Sequence, residues 1–125
     1  MAKFFACDIC GNMVGLIRDK GGPLFCCGKP MTYFEPNTVE ASYEKHIPDV
    51  EKTDKGISVK VGSTLHPMEE AHYIDFIYVK TGKGGHRVKL ETGQTPEAQF
   101  CFENDEPLEV YAYCNLHGMW KKELN

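Results

Sequence analysis

Residues 108–117 read Leu-Glu-Val-Tyr-Ala-Tyr-Cys-Asn-Leu-His, and the rest of the chain is best interpreted outward from this stretch. Val110 and Ala112 alternate with more polar neighbours, as in a strand that buries one face. Cys114 and His117 follow at the end of that strand, three residues apart. A cysteine thiolate and a neutral imidazole are both metal ligands. The stretch therefore predicts a strand that ends in a metal-binding loop.

Two segments in the middle of the chain supply further imidazoles. His66 and His72 lie at the two ends of the sequence His-Pro-Met-Glu-Glu-Ala-His, and Pro67–Ala71 between them is expected to form one helical turn. His46 lies in the sequence Glu-Lys-His-Ile-Pro, residues 44–48. Each of these histidines alone is more often an ordinary core or surface residue. Together with the cysteine-histidine loop they indicate a single metal site.

These residues amount to four imidazoles and one thiolate, which is one ligand more than a structural zinc ion ordinarily takes. Iron accepts five such ligands in a square-pyramidal arrangement and keeps a sixth position open. A ferrous ion with one thiolate is still positively charged, so the open position favours a small anion. A thiolate opposite that position pushes electron density toward whatever binds there. The predicted ligands are His46, His66, His72, Cys114 and His117.

One further histidine and one further cysteine are expected to lie outside this site. His86 follows two glycines in a turn region, where an exposed side chain is expected. Cys101 lies inside the predicted strand Phe100-Cys101-Phe102 and is expected to be a small buried apolar residue.

The first 36 residues contain four cysteines in a separate pattern. Cys7 and Cys10 have C-x-x-C spacing, and Cys26 and Cys27 are adjacent. Four thiolates form a closed tetrahedral site suited to zinc or iron. A segment shorter than about 40 residues buries too little surface to fold alone, so the metal would supply much of its folding free energy. A structural zinc ribbon is one interpretation, but ribbons normally close with a second C-x-x-C, and adjacent ligands favour a distorted redox site.

The composition restricts the functional class. The chain has 125 residues, enough for one ordinary domain or for a mid-sized domain with a very small one attached. A net charge of −4 without a basic run argues against nucleic acid as the main partner. No stretch approaches the roughly 18 apolar residues of a membrane span, and the N-terminus lacks signal-peptide features. A cytoplasmic location is expected, where the six cysteines would bind metal rather than form disulfides.

The pattern after residue 36 is that of β-structure. Residues 37–50 are expected to be a linker that becomes the first part of the larger domain, residues 37–125. Strands are predicted at residues 57–61, 72–80, from 88 onward, at 98–102 and at 108–113, the last of the chain. Short strands separated by Gly, Pro and Asp turns predict a mainly β fold, an antiparallel sandwich of the immunoglobulin type. A small metal-binding domain, residues 1–36, precedes it.

The combination of motifs resembles desulfoferrodoxin, the two-iron class of superoxide reductase, over essentially the whole chain. The matching blocks, in the expected order, are Cys7-Asp8-Ile9-Cys10-Gly11-Asn12, Cys26-Cys27, Glu44-Lys45-His46-Ile47-Pro48, His66-Pro67-Met68-Glu69-Glu70-Ala71-His72 and Cys114-Asn115-Leu116-His117-Gly118-Met119-Trp120. The resemblance implies two iron ions per chain. The first would be a desulforedoxin-like FeS4 centre held by the four N-terminal cysteines. The second would be the catalytic iron, with the four histidines equatorial and Cys114 axial.

The resemblance also implies an activity and partners. The activity is the reduction of superoxide to hydrogen peroxide, with electrons from a donor such as rubredoxin, in a homodimer. Glu44 would be the carboxylate that can occupy the sixth position in the resting ferric form. Lys45 would be the cation beside the incoming substrate.

Two other functions remain open on the residues alone. Cys114, His117 and Met119 with one upstream histidine, on a β-sandwich, mimic the site of a blue-copper electron carrier. Such a carrier would not need His66 and His72. The other alternative is a structural zinc protein in which both sites are inert. Metal analysis with an absorption spectrum of the oxidised protein distinguishes the three.

Overall fold

The computed structural model describes residues 1–124. Contacts within the chain group these residues into two compact units, Met1–Glu35 and a second unit that begins at Pro36. Among the described residues, no helix has the length and apolar character needed to span a membrane.

The first unit consists of very short strands, β1 (Phe4–Ala6), β2 (Met13–Gly15), β3 (Phe25–Cys26), β4 (Lys29–Pro30) and β5 (Thr32–Tyr33). Three of them form an antiparallel sheet in the order β2-β1-β5, and the other two form the hairpin β3-β4. Strands of two or three residues bury little apolar surface, so this unit needs another source of stability.

The turn of the β3-β4 hairpin explains how two adjacent cysteines can serve one site. Cys26 pairs with Lys29, and the two residues between them, Cys27 and Gly28, have φ values of 55° and 73°. Two successive left-handed residues form a type I′ turn, whose twist matches that of the flanking strands. Cys26 ends the strand and Cys27 begins the turn, and their sulfurs lie 3.9 Å apart.

The second unit, as far as residue 124, contains one short helix and two sheets. Its elements are α1 (Tyr43–His46), β6 (Pro48–Lys52), β7 (Gly56–Val61), β8 (Ile74–Thr81), β9 (Gly85–Lys89), β10 (Glu97–Cys101), β11 (Pro107–Cys114) and β12 (Gly118–Glu123). One antiparallel sheet has the order β10-β7-β6 and the other the order β12-β11-β8-β9. The prediction of a mainly β fold with an antiparallel sandwich is confirmed.

The core of the second unit is formed by alternate residues of both sheets. Its fully buried members include Val59, Ile77, Val110 and Ala112, and Cys114 belongs to the same cluster. Full burial of a side chain such as valine or isoleucine stabilises the fold by about 1.5–3 kcal/mol. The cysteine at the end of β11 is therefore held by the core itself, which fixes one ligand of the predicted iron site.

Two predictions about single segments are wrong. Cys101 is exposed, because side chains alternate along β10 and the buried position belongs to its neighbour Phe100. Pro67–Ala71 is not helical, since the N–H groups of Glu69 and His72 instead donate to each other's carbonyl oxygens at 2.9 and 3.1 Å. His86 is exposed as predicted, although it lies in β9 rather than in a turn.

α1 lies within residues 37–50 and β6 begins there at Pro48, so the predicted linker segment carries the first elements of the second unit. One prediction about the order of elements is wrong. The strand ending at Cys114 is not the last, because β12 follows and pairs with β11 from Cys114–Gly118 to Glu109–Glu123. Both β6 and β12 carry several charged residues, which hide the alternation by which strands are recognised.

Candidate metal centres

The ligands predicted for the second metal site come from four places in the second unit. His46 ends α1, His66 and His72 lie in the connection between β7 and β8, Cys114 ends β11, and His117 lies in the loop before β12. Each contributes one ligand atom, and these atoms all lie within 4.8 Å of one another. The structure thus brings together all five residues that the sequence selected.

The four imidazole rings lie at the corners of an approximate square. Neighbouring rings, in the order 46, 66, 72 and 117, have centroids 4.6, 4.6, 5.1 and 4.9 Å apart. Their planes are nearly perpendicular, with angles between 76° and 84°. The diagonal pair His46 and His72 is wider, at 6.4 Å, and its planes differ by only 32°. Rings arranged in this way can each direct one nitrogen at a common centre, as the equatorial ligands of a metal do.

Hydrogen bonds on the far side of two rings determine which nitrogen faces the centre. Nδ1 of His46 lies 2.6 Å from the Ser42 carbonyl oxygen, and Nδ1 of His66 lies 2.7 Å from that of Pro67. A carbonyl oxygen only accepts, so each Nδ1 carries the proton and each Nε2 has a free lone pair. These two Nε2 atoms lie 3.2 Å apart. Two lone pairs this close repel each other unless a cation lies between them and attracts both. The distance also fits a metal site, because two nitrogen ligands that bind a metal at right angles, with bonds of about 2.1 Å, lie about 3 Å apart.

The other two rings complete the arrangement. Nδ1 of His117 lies 3.1 Å from Nε2 of His46 and 3.8 Å from Sγ of Cys114. Nε2 of His72 is buried and has no hydrogen-bond partner within residues 1–124. A buried polar atom without a partner costs about 1–3 kcal/mol, so its position indicates a ligand that binds there. The residues present therefore fit a bound metal ion.

The environment keeps the imidazoles in the form that binds a metal. Burial lowers the pKa of His66 to about 4 and also lowers the pKa values of His46 and His72. Burial raises the pKa of the Cys114 thiol, so this side chain loses its proton to solvent readily only when a bound cation stabilises the thiolate. Neutral rings and a thiolate that forms on metal binding make a set of four nitrogens and one sulfur. This set exceeds the four ligands of structural zinc and fits iron.

Glu44 and Lys45, the two residues predicted to act beside the iron, are exposed on α1 next to His46. Neither belongs to the group of converging ligand atoms. The backbone N–H of Glu44 itself is the main cause that lowers the pKa of its carboxyl group. Burial is the main cause that lowers the pKa values of His46 and His72, and the positive charge of Lys45 adds to it. This charge therefore acts on two opposite corners of the square.

Trp120 is a contributor to the site for which sequence reasoning found no role. Its side chain is fully buried, and its ring lies 4.8 Å from the ring of His46 with an angle of 32° between the planes. Its Nε1–H donates to the carbonyl oxygen of His117 at 3.0 Å. The tryptophan thus supports one ligand through its ring and another through its backbone. Trp120 belongs to the matching block at residues 114–120, but contacts of this kind leave no pattern in a sequence from which a role could be assigned.

The four N-terminal cysteines form the other group of ligands, and this group lies within the first unit. Their sulfurs lie within 4.8 Å of one another, and Cys10 and Cys26 approach to 3.6 Å. The N–H groups of Ile9 and Cys10 donate to the Cys7 sulfur, each at 3.4 Å. Hydrogen bonds from the N–H groups of Cys10 and Ile9 are the largest causes that lower the pKa of Cys7 to about 6. The knuckle therefore already favours a thiolate, the form that a metal requires.

Comparison with known proteins identifies the family. The desulfoferrodoxin family model matches residues 38–123, and the model of the desulfoferrodoxin N-terminal domain matches residues 2–34. The chain belongs to the desulfoferrodoxin family. The desulfoferrodoxin of Syntrophotalea carbinolica is 48% identical over 121 residues, which cover 97% of this chain and 95% of that protein. The two ligand groups are consistent with the two iron centres of a desulfoferrodoxin.

Solved structures agree with this assignment. The superoxide reductase from Treponema pallidum is 35% identical, with a TM-score of 0.83, and the match covers 98% of this chain and 99% of that one. The superoxide reductase (1Fe-SOR) from Giardia intestinalis is 28% identical, with a TM-score of 0.54. That match covers 66% of this chain but 98% of the Giardia chain, so the present chain is substantially longer than this relative.

Proposed function

We propose that this desulfoferrodoxin is a superoxide reductase that converts superoxide to hydrogen peroxide. The observation that supports this proposal most strongly is the group of four imidazoles and the Cys114 thiol. The five ligand atoms of this group all lie within 4.8 Å of one another. The reaction consumes one superoxide, one electron from an external donor and two protons, and it forms one molecule of hydrogen peroxide. An iron ion bound by these residues would pass the electron from the donor to superoxide.

The ligands of this chain would set the properties of that iron. The imidazoles of His46, His66, His72 and His117 would hold it as neutral nitrogen donors. Cys114 would supply the thiolate, whose negative charge and strong electron donation favour transfer to the bound substrate. Because Cys114 is fully buried in the core, its sulfur would keep this position through repeated turnover.

Lys45 and Glu44 would act on the substrate side. The exposed ammonium of Lys45 would attract superoxide toward the site, since a cation beside an entry point raises the local concentration of a small anion. The carboxylate of Glu44, one residue away on α1, would be a further ligand for iron held at this site in its oxidised form. The backbone N–H of Glu44 lowers the pKa of this carboxyl group, which favours the charged form.

The remaining parts of the proposal concern organisation and context. Residues 1–36 would form a desulforedoxin-like FeS4 domain, and residues 37–125 the reductase domain with the catalytic iron. The working protein would be a homodimer in the cytoplasm, detoxifying reactive oxygen, and rubredoxin or a similar carrier would supply the electrons. The two family models, which match residues 2–34 and 38–123, support the division into two domains.

Product stoichiometry tests the proposed reaction directly. The pre-reduced, iron-loaded protein is mixed with a known pulse of superoxide, and hydrogen peroxide and molecular oxygen are both measured. We expect one peroxide for each superoxide consumed and no oxygen from the protein-dependent reaction. The exposed His86→Gln variant is the matched control, because it removes an imidazole outside the site. Half a peroxide per superoxide, with oxygen released, would indicate dismutation and contradict the proposal.

A further inference from the structure

Asn115 lies between the ligands Cys114 and His117 and is bonded to the segment that carries a third ligand, His72. Its Oδ1 accepts a hydrogen bond from the N–H of Tyr73 at 2.8 Å, and its Nδ2 donates to the carbonyl oxygen of Ala71 at 3.0 Å. Its backbone N–H donates to the carbonyl oxygen of Tyr73 at 3.2 Å. These hydrogen bonds join Asn115 to the residues immediately before and after His72. One side chain thus ties the loop after β11 to the segment that leads into β8.

His72 needs such support more than His46 or His66 does. His46 and His66 are each held by a hydrogen bond from Nδ1 to a carbonyl oxygen, and each is only 3% exposed. As a residue, His72 is less buried, and no carbonyl oxygen of the described residues holds its ring as those of Ser42 and Pro67 hold the rings of His46 and His66. The direction of this ring is therefore set mainly by its backbone, which Asn115 fixes from both sides.

We propose that Asn115 is a positioning residue, which holds His72 in register with Cys114 and His117 so that the ligand square is formed before the metal binds. The carboxamide is suited to this task because it donates and accepts at once, as the Ala71 carbonyl and the Tyr73 amide require. Asn115 does not itself donate to the metal, and its effect passes through His72. The inference rests on the iron site of the proposed function but not on superoxide turnover.

The test is iron retention by the Asn115→Ala variant, measured without substrate. Wild-type and variant proteins, both loaded with iron and reduced, are mixed with an excess of ferrous chelator. Samples are re-oxidised at intervals, and release is followed by the thiolate-to-iron absorption that remains at each site and by the fluorescence of Trp120, the single tryptophan of the chain, which packs against His46. Loss of a residue that orients a metal ligand typically costs about 10–100-fold in metal affinity, and we expect a weakening of this size. The four-cysteine centre of the same molecule should release its iron at the wild-type rate.

Asp105→Ala is the matched control. Its Oδ1 accepts two backbone hydrogen bonds, from the N–H of Lys83 at 3.0 Å and from that of Glu106 at 2.9 Å, and it lies before the start of β11, whereas Cys114 lies at the end of that strand. This variant should lose stability and keep its iron. The inference is overturned if Asn115→Ala retains iron as well as wild type, if Asp105→Ala releases iron equally fast, or if Asn115→Ala does not fold. A wild-type protein that never binds iron at this site would instead refute the proposed function.

Discussion

Mild acid should destabilise the metal-free second unit, chiefly through His66. Burial lowers the pKa of this residue to about 4, whereas in the unfolded chain it titrates near its ordinary value of about 6.5. Between these two values the unfolded state binds a proton that the folded state does not. The free energy of unfolding is therefore fully retained above pH 6.5 or so, and it declines as the pH falls toward 4.

The size of the effect follows from the two pKa values. At pH 5 an unfolded His66 is almost entirely protonated, while the folded residue is mostly neutral. Linkage then gives a loss of about 2 kcal/mol relative to pH 7, rising to about 3 kcal/mol once the pH is well below 4. Burial lowers the pKa values of His46 and His72 as well, so the whole unit should lose more than His66 alone accounts for.

Urea unfolding of the metal-free protein at pH 7 and pH 5 measures this loss. The fluorescence of Trp120 reports on the second unit alone, because this chain has a single tryptophan and it is fully buried there. His66→Gln should reduce the difference between the two pH values by about 2 kcal/mol, whereas the exposed His86→Gln should leave it unchanged. The reasoning is refuted if His66→Gln shows the same pH dependence as wild type.

Four further variants test the proposed activity. Cys114→Ser should lose the charge-transfer absorption of the catalytic site and most of the reductase activity, because a serine hydroxyl stays protonated and is a poor donor; a spectrum that keeps this band would mean that Cys114 is not a ligand. Lys45→Ile should slow the reaction with pulsed superoxide, commonly by about 10-fold, and flatten its salt dependence. Glu44→Ala should instead alter the ferric spectrum with little change in that rate, so equal slowing in both variants would contradict their separate roles. Cys10→Ser should lose the FeS4 absorption while the pre-reduced protein still reacts with superoxide at nearly the wild-type rate, and a collapse of that rate with catalytic iron retained would disprove independence of the two centres.

The sequence predicts the ligands well because each ligand motif carries its own chemical signal. Cysteine and histidine at close spacing have few roles other than metal binding, and the strand that leads to Cys114 is visible from its alternation. The alternation of β7 is equally clear, and its residues Ile57, Val59 and Val61 are all buried. What the sequence does not contain is the orientation of each ring. That depends on backbone carbonyls such as those of Ser42 and Pro67, which every residue possesses and which therefore leave no signature.

The wrong predictions have equally specific causes. Proline at the start of Pro67–Ala71 is compatible with a helix, but the segment is too short to stabilise one, and the Glu69–His72 bridge closes the turn instead. Cys101 is assigned to the interior by residue type alone. The period-two rule, applied to the neighbouring Phe100, would have placed it on the opposite face. Strand β12 depends on its pairing with β11, a long-range contact that local patterns do not reveal.

The most direct test of the central claim is metal analysis of the purified protein together with its absorption spectrum in the oxidised and reduced states. Two iron ions per chain are expected, with intense thiolate-to-iron bands that bleach on reduction. The Cys114→Ser variant should keep the bands of the four-cysteine centre and lose those of the second site. A protein that contains copper at the histidine site, or a colourless protein that contains zinc at both sites, would contradict the assignment of a catalytic iron held by His46, His66, His72, His117 and Cys114.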